Sequence, residues 1–337
     1  MNRRRWAVVV FLLGWLAVPG IAHADPPGPT DYRTEIVGVE PAVGSIAVSV
    51  EGGDSFVRLA VDPGHEVMVL GYDGEPYLRI GRDGVVEHNL RSYATYYNED
   101  RYGATEIPDF VDNQAVPEWE RIGRGGTWAW HDHRAHWMGT EPPFGLDPGE
   151  ALPVQSIPVS VDGVPVSIEV ETRLVEQPSV IPVGFGLVLG LSLALLGLRL
   201  GPASTGLVAL LTAGGGVVVG VAQYSSLPPE TGRLVTWWLL PSIAAVAVIA
   251  SIATYGRSRL VHLGLIALAV VQTGIWAFSR RSGLTRAVLP TDLPAGADRF
   301  VTAACLAASL VMLVGVVRWL FSIDPEPGGE VSSVVGS

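Results

Sequence analysis

The chain has 337 residues, of which 48% are hydrophobic and only 16% charged, against about 25% charged residues in an ordinary soluble domain, so a wholly soluble protein is excluded. The net charge of −11 is unevenly spread: residues 25–178 carry 27 acidic side chains and 10 arginines, whereas residues 179–337 carry 9 arginines and 6 acids. An acidic first half repels phosphate backbones, so nucleic acid is not an expected partner, and a single cysteine, Cys305, leaves neither a disulfide framework nor a thiolate cluster for a metal.

Residues 1–24 read as a secretory signal. Arg3 to Arg5 supply the charged start, Trp6 to Val18 the apolar stretch, and Ala22-His23-Ala24 the small-x-small end, with Asp25 as the mature N-terminus. Residues 25–178 then form an extracytoplasmic domain. Ile46, Val48 and Val50, then Val57, Leu59 and Val61, then Val166, Ile168 and Val170 alternate with more polar neighbours, the period of half-buried strands. Asp73-Gly74, Asp83-Gly84 and Asp162-Gly163 fall between such runs, and Asp-Gly favours the primed turns of hairpins. The expected fold is an all-β antiparallel sandwich.

From about Asn98 to Gly126 the alternation stops and acids accumulate: Glu99, Asp100, Glu106, Asp109, Asp112, Glu118 and Glu120. Their spacing matches no calcium loop, and a long irregular insertion of this kind reads as a solvated surface loop. Immediately after it, Thr127 to Met138 gathers His131, His133 and His136. On a continuous strand His131 and His133 share a face and His136 takes the other, so His136 joins them only if the chain turns near Arg134. Met138 is a soft ligand beyond it. Imidazole suits copper and zinc and thioether suits Cu(I), which makes copper the first candidate and zinc the second. The alternative is a polar and aromatic cluster without metal. Neither a nucleophile motif nor a phosphate loop nor a dinucleotide fingerprint is present, so no enzymatic activity is expected.

After Pro178 the runs 180–199, 203–223, 235–255, 260–278 and 300–321 are each about long enough to cross a bilayer. Tyr224, Trp237, Trp238, Tyr255, Trp276 and Trp319 lie near their ends, as interfacial belts require. This gives a helical membrane domain over 179–323 with five transmembrane helices, and a short acidic tail over 324–337. The lipid bilayer is thus the first partner. These runs contain no Asp, Glu or Lys; their polar candidates, Thr212, Gln223, Gln272 and Cys305, read as residues that hydrogen-bond neighbouring helices, and the spacings Gly186/Gly190 and Gly216/Gly220 suit close helix packing. With the first half exported, five spans put the C-terminus in the cytoplasm, although the arginines are too evenly divided to support either orientation. Arg280, Arg281 and Arg286 would then lie outside, against lipid headgroups or the acidic domain.

The segments Glu75-Pro76-Tyr77-Leu78-Arg79, Asn98-Glu99-Asp100-Arg101-Tyr102, Pro117-Glu118-Trp119-Glu120 and Trp130 to Met138 resemble exported membrane proteins of actinobacteria with an extracytoplasmic β domain. That resemblance implies placement and no activity. The architecture is also similar to copper-resistance proteins in which a CopC β domain is joined to a CopD membrane domain, which implies copper as cargo. Here His23 leaves with the signal, the first half holds only Met68 and Met138, and the helices lack a mid-span histidine. The expected function is a membrane-anchored extracytoplasmic module binding a transition metal through His131, His133, His136 and Met138. The alternative is a structural partner that docks another envelope protein through its Trp and Tyr surface. Transport through the helices ranks third, for want of an intramembrane charge.

Overall fold

In the computed structural model, residues 26–139 and 141–322 are described. The signal at 1–24 and the tail at 324–337 lie outside them. The strands are β1 (Tyr32–Glu40), β2 (Ile46–Glu51), β3 (Phe56–Val61), β4 (Val67–Leu70), β5 (Pro76–Ile80), β6 (Val85–Asn89), β7 (Trp119–Arg124), β8 (Thr127–Trp130), β9 (Gln155–Val161) and β10 (Val164–Leu174). All pairings are antiparallel: seven strands form one sheet in the order β1-β10-β9-β4-β5-β6-β7, and β2-β3-β8 form a second. Val57, Leu59 and Trp130 from the small sheet meet Val69, Leu78, Ile157 and Ile168 from the large one in a single core, which makes the domain a sandwich. Leu59, Leu78, Ile157 and Ile168 are fully buried, and each contributes about 1.5–3 kcal/mol by leaving water.

Burial follows the sequence alternation most closely in β10, where Val166, Ile168, Val170, Thr172 and Leu174 face inward in turn. The three Asp-Gly pairs all join antiparallel neighbours, yet only Asp162-Gly163 is a two-residue primed turn, with positive φ at both residues (49° and 83°). The other two sit in longer loops, where only Gly74 and Gly84 have positive φ. The irregular segment is also shorter than the sequence indicates. Trp119–Arg124 is strand β7, edge partner of β6, and a short helix α1 (Tyr93–Tyr97) precedes the acidic loop, its first turn capped by Ser92 Oγ accepting from the Ala94 amide.

Five helices long and apolar enough to cross a membrane follow: α2 (Ile181–Leu200), α3 (Pro202–Ser226), α4 (Thr236–Thr254), α5 (Arg259–Ser279) and α6 (Ala295–Phe321). A methyl group on Gly190 would overlap the Ala304 carbonyl, and one on Gly220 would overlap that of Trp237. Glycine at these two positions therefore lets α2 approach α6 and α3 approach α4. Helix α6 begins earlier than the hydropathy implies, so Asp298 and Arg299 belong to its first turns and are buried. Both are satisfied there. Asp298 accepts from Arg280 at 2.6 Å and from Thr302 at 3.2 Å, close to the positive end of the helix dipole, while Arg299 donates to the carbonyls of Gly283, Arg286 and Ala287.

The β domain rests on the loop between α5 and α6. Thr30 and Val288 exchange both backbone hydrogen bonds (3.0 and 2.8 Å), and Asp31 accepts from Arg286 and from the Ala287 amide. Of Arg280, Arg281 and Arg286, only Arg286 thus pairs with an acid of the β domain: Arg280 pairs within the bundle, and Arg281 lies over the Phe278 ring.

Candidate functional site

The histidine segment begins as strand β8, paired with β3 through Trp128 opposite Leu59 and Trp130 opposite Val57. The strand stops at Trp130 because Asp132 turns the chain. Its carboxylate, 1% exposed, accepts from the Arg134 amide (3.1 Å), Arg134 Nε (2.8 Å), Arg134 Nη2 (2.8 Å) and the Trp130 indole (3.0 Å), and its carbonyl accepts from the Ala135 amide. Burial alone would raise the Asp132 carboxyl pKa, but the Arg134 guanidinium and these donors outweigh it and hold the carboxyl below its usual range.

This turn decides which histidines meet. The His133 and His136 rings lie 5.0 Å apart, the His131 and His136 rings 6.3 Å apart. His131 stacks on Phe56 at 4.1 Å and donates from Nδ1 to the Ser55 carbonyl at 2.6 Å, so its ring is anchored on β3. The pair that shares a pocket is therefore His133 with His136, and not His131 with His133 as a continuous strand would have it. His133 donates from Nε2 to the Asp100 carbonyl at 3.0 Å, and His136 from Nε2 to the Arg101 carbonyl at 2.8 Å. With these protons assigned, each Nδ1 carries a lone pair, and both Nδ1 atoms are buried without a hydrogen-bond partner among the described residues.

Residues 100 and 101 act as a strap. Asp100 turns the chain by accepting from the amides of Tyr102 and Ala104, and the Arg101 guanidinium pairs with buried Asp54. Burial keeps His133 below the usual imidazole range, and burial with the Arg101 charge pushes His136 down to about 3. Both rings are consequently neutral at physiological pH. They open on a cavity of about 420 Å³ whose walls include Tyr72, Tyr97, Arg134 and Trp137. Met138 lies next to this cluster, its sulfur accepting from the Tyr97 hydroxyl at 3.6 Å, while the Tyr97 ring sits 4.1 Å from His133.

Among the described residues, no group of three or more His, Cys, Asp or Glu side chains stands where it could hold a metal ion. The turn brings together an imidazole pair. The remaining described histidines have other partners: His65 pairs with Asp162, His88 with Glu120, and His262 Nδ1 with the Ser251 carbonyl. Several acids of the irregular segment likewise build structure: Asp112 caps a turn at Gln114 and Glu118 meets Arg91. Sequence reasoning missed Tyr72 and the strap carbonyls, since a backbone oxygen leaves no sequence signal; Tyr97 was visible only as one of several nearby tyrosines. Compared with family models, with curated proteins and with solved structures, the chain finds no match.

Proposed function

We propose that the chain is a multi-pass membrane protein whose β domain is exported, with the C-terminus in the cytoplasm, and captures a transition metal through Nδ1 of His133 and His136. The observation that carries this reading is the pair of buried, unpartnered Nδ1 atoms on rings 5.0 Å apart. Two imidazoles bound to one ion at about 2.0 Å hold their ring centres roughly 5 Å apart at a tetrahedral angle. Metal-bound histidines characteristically donate their other N–H to a carbonyl, which fixes the tautomer, and the Asp100 and Arg101 carbonyls serve that purpose here. Neutral rings also need lose no proton to bind. The donor set favours copper over zinc once the Met138 thioether is counted, and the cavity leaves room for ligands from solution. Arg134 and Arg101 do not oppose a cation at full strength, because Asp132 and Asp54 neutralise them.

The test is titration of Cu(I), Cu(II) and Zn(II) into the full chain in nanodiscs, for wild type, His133→Ala/His136→Ala and His131→Ala. We expect one equivalent to bind wild type and His131→Ala, with affinity lost by at least about a hundredfold in the double variant, since a ligand is worth more than the 10–100-fold of its outer-shell partners. Equal binding by the double variant, or none by wild type, overturns the reading. Docking of an envelope protein through Trp and Tyr ranks second: Trp130 and Tyr77 are buried, Tyr72 and Tyr97 line the cavity, and Tyr102 is the exposed tyrosine beside them.

A further inference from the structure

A second cavity, also about 420 Å³, lies where the helix bundle meets the β domain, roofed by Pro26 to Pro29. Its walls come from the β-domain ends of α3, α4, α5 and α6, and they carry the polar side chains of Gln223, Gln272, Arg280 and Asp298. Arg280 donates to Gln223 Oε1 and to Asp298, and its guanidinium lies 5.2 Å from the centre of the Trp276 ring. Of the polar helix residues, Thr212 donates to the carbonyls of Val208 and Ala209, Cys305 donates to the Thr212 carbonyl, and Gln223 accepts from Arg280. Thr273 Oγ1 and Ser309 Oγ are buried without a partner among the described residues but lie outside the cavity wall, whereas Gln272 belongs to it. Gln272 is 2% exposed, and its Oε1 has no partner among the described residues. The Arg280 Nε atom is also buried and unpartnered.

A buried amide oxygen without a donor forfeits the hydrogen bond it had in water, so its place in a cavity wall points to a ligand that supplies one. We propose that this cavity binds an uncharged, hydroxyl-headed amphiphile, its hydroxyl donating to Gln272 Oε1 and accepting from Arg280 Nε. The charge of the ligand follows from pairing: Arg280 is neutralised by Asp298, whose two oxygens are both engaged, so neither an anion nor a cation finds an unpaired opposite charge. Leu240, Ile275, Trp237 and Trp276 offer the apolar wall. Leu234, 41% exposed on a helix-rich surface, is the lip over which an apolar tail reaches the bilayer. This cavity is separate from the one lined by His133 and His136, and the ligand needs no metal.

The test uses the full chain in phosphatidylcholine nanodiscs and a monoacylglycerol with a dibrominated chain as the probe, read as quenching of tryptophan fluorescence. The matched anionic probe is a lysophosphatidic acid with the same chain. We expect saturable quenching by the monoacylglycerol, reduced in Trp276→Phe and reduced further in Trp237→Phe/Trp276→Phe because both indoles line the cavity, with a midpoint about tenfold higher in Gln272→Leu, the loss of roughly one hydrogen bond. Because Gln272→Leu removes an unsatisfied buried group, the variant should keep or raise its melting temperature, so a lost site is not a lost fold. Quenching that only rises linearly with probe, an unchanged midpoint in Gln272→Leu, or equal saturation by the lysophosphatidic acid would each overturn the proposal.

Discussion

The two cavities are of similar size and different chemistry. Among the residues lining the β-domain cavity, the unpartnered buried atoms are both lone-pair donors, the Nδ1 atoms of His133 and His136. At the bundle mouth one acceptor, Gln272 Oε1, is matched by one donor, Arg280 Nε, and the local charges cancel. Two lone pairs suit a Lewis-acidic ion, whereas a donor and an acceptor suit a hydroxyl. The comparison shows that the identity of orphaned atoms, more than the volume around them, separates one ligand class from another.

The strongest way to break this comparison is to collapse one side of it. Asp132→Ala removes the carboxylate that turns the chain and leaves the Arg134 guanidinium uncompensated, which costs about 3–5 kcal/mol when one partner of a buried pair is removed. Chemical denaturation followed by β-sheet circular dichroism should register this loss, and metal capture should disappear with it. Quenching by the brominated monoacylglycerol should persist. Retained metal affinity in this variant would show that the turn does not assemble the imidazole pair.

Gly220→Ala works from the other side. The added methyl meets the Trp237 carbonyl, which pushes α4 and its cavity wall away from α3 at a cost of about 1–3 kcal/mol. The expected result is a lower melting temperature in nanodiscs and weakened amphiphile binding, with metal affinity unchanged. An unaltered melting temperature would mean that the two helices are not held at glycine distance.

Acid should loosen only the β domain. His136 titrates near 6.5 when unfolded and at about 3 when folded, chiefly through burial and then the Arg101 charge, so between these values the unfolded chain binds the extra proton. Stability therefore falls as pH falls, by about 2 kcal/mol between pH 7 and pH 5 for this group alone. Urea titrations of metal-free protein at the two pH values should show the slope, and His136→Gln should flatten it. Equal slopes in the two proteins would place the acid sensitivity elsewhere.

Much of this arrangement is written in local patterns. The period of two in Val166, Ile168 and Val170 and the long apolar runs each reflect a face or length that must be buried, and both survive in the fold. The start of α6 was hidden because Asp298 and Arg299 lower hydropathy, although the helix tolerates them through partners distant in sequence. The imidazole pair was half legible. His136 required a turn that Asp132 makes with its own side chain, a local signal, but the choice of His136 over His131 depends on Ser55, Phe56, Asp100 and Arg101, which the fold alone brings near. Gln272 read as an ordinary helix-packing residue, because an absent hydrogen bond has no signature in sequence.

The smallest expected effect lies at the seam between the two regions. Arg101 links them in outline: its carbonyl accepts from His136, its guanidinium holds Asp54 and reaches Thr30 Oγ1 at 3.4 Å, and the Thr30 backbone pairs with Val288 beside Arg286. Arg286 is 46% exposed while its partner Asp31 is 12% exposed, so solvent and salt screen the pair and its loss is worth at most about 1 kcal/mol. Arg286→Glu should therefore leave the melting temperature nearly unchanged at high salt and lower it slightly at low salt, where two acids face each other. The informative readout is a spin-label distance between the β domain and the α5–α6 loop. Broadening of that distance in Arg286→Glu, with both ligand sites intact, would make Asp31–Arg286 a positional clamp; an unchanged distribution would assign the seam to the Thr30–Val288 backbone pair alone.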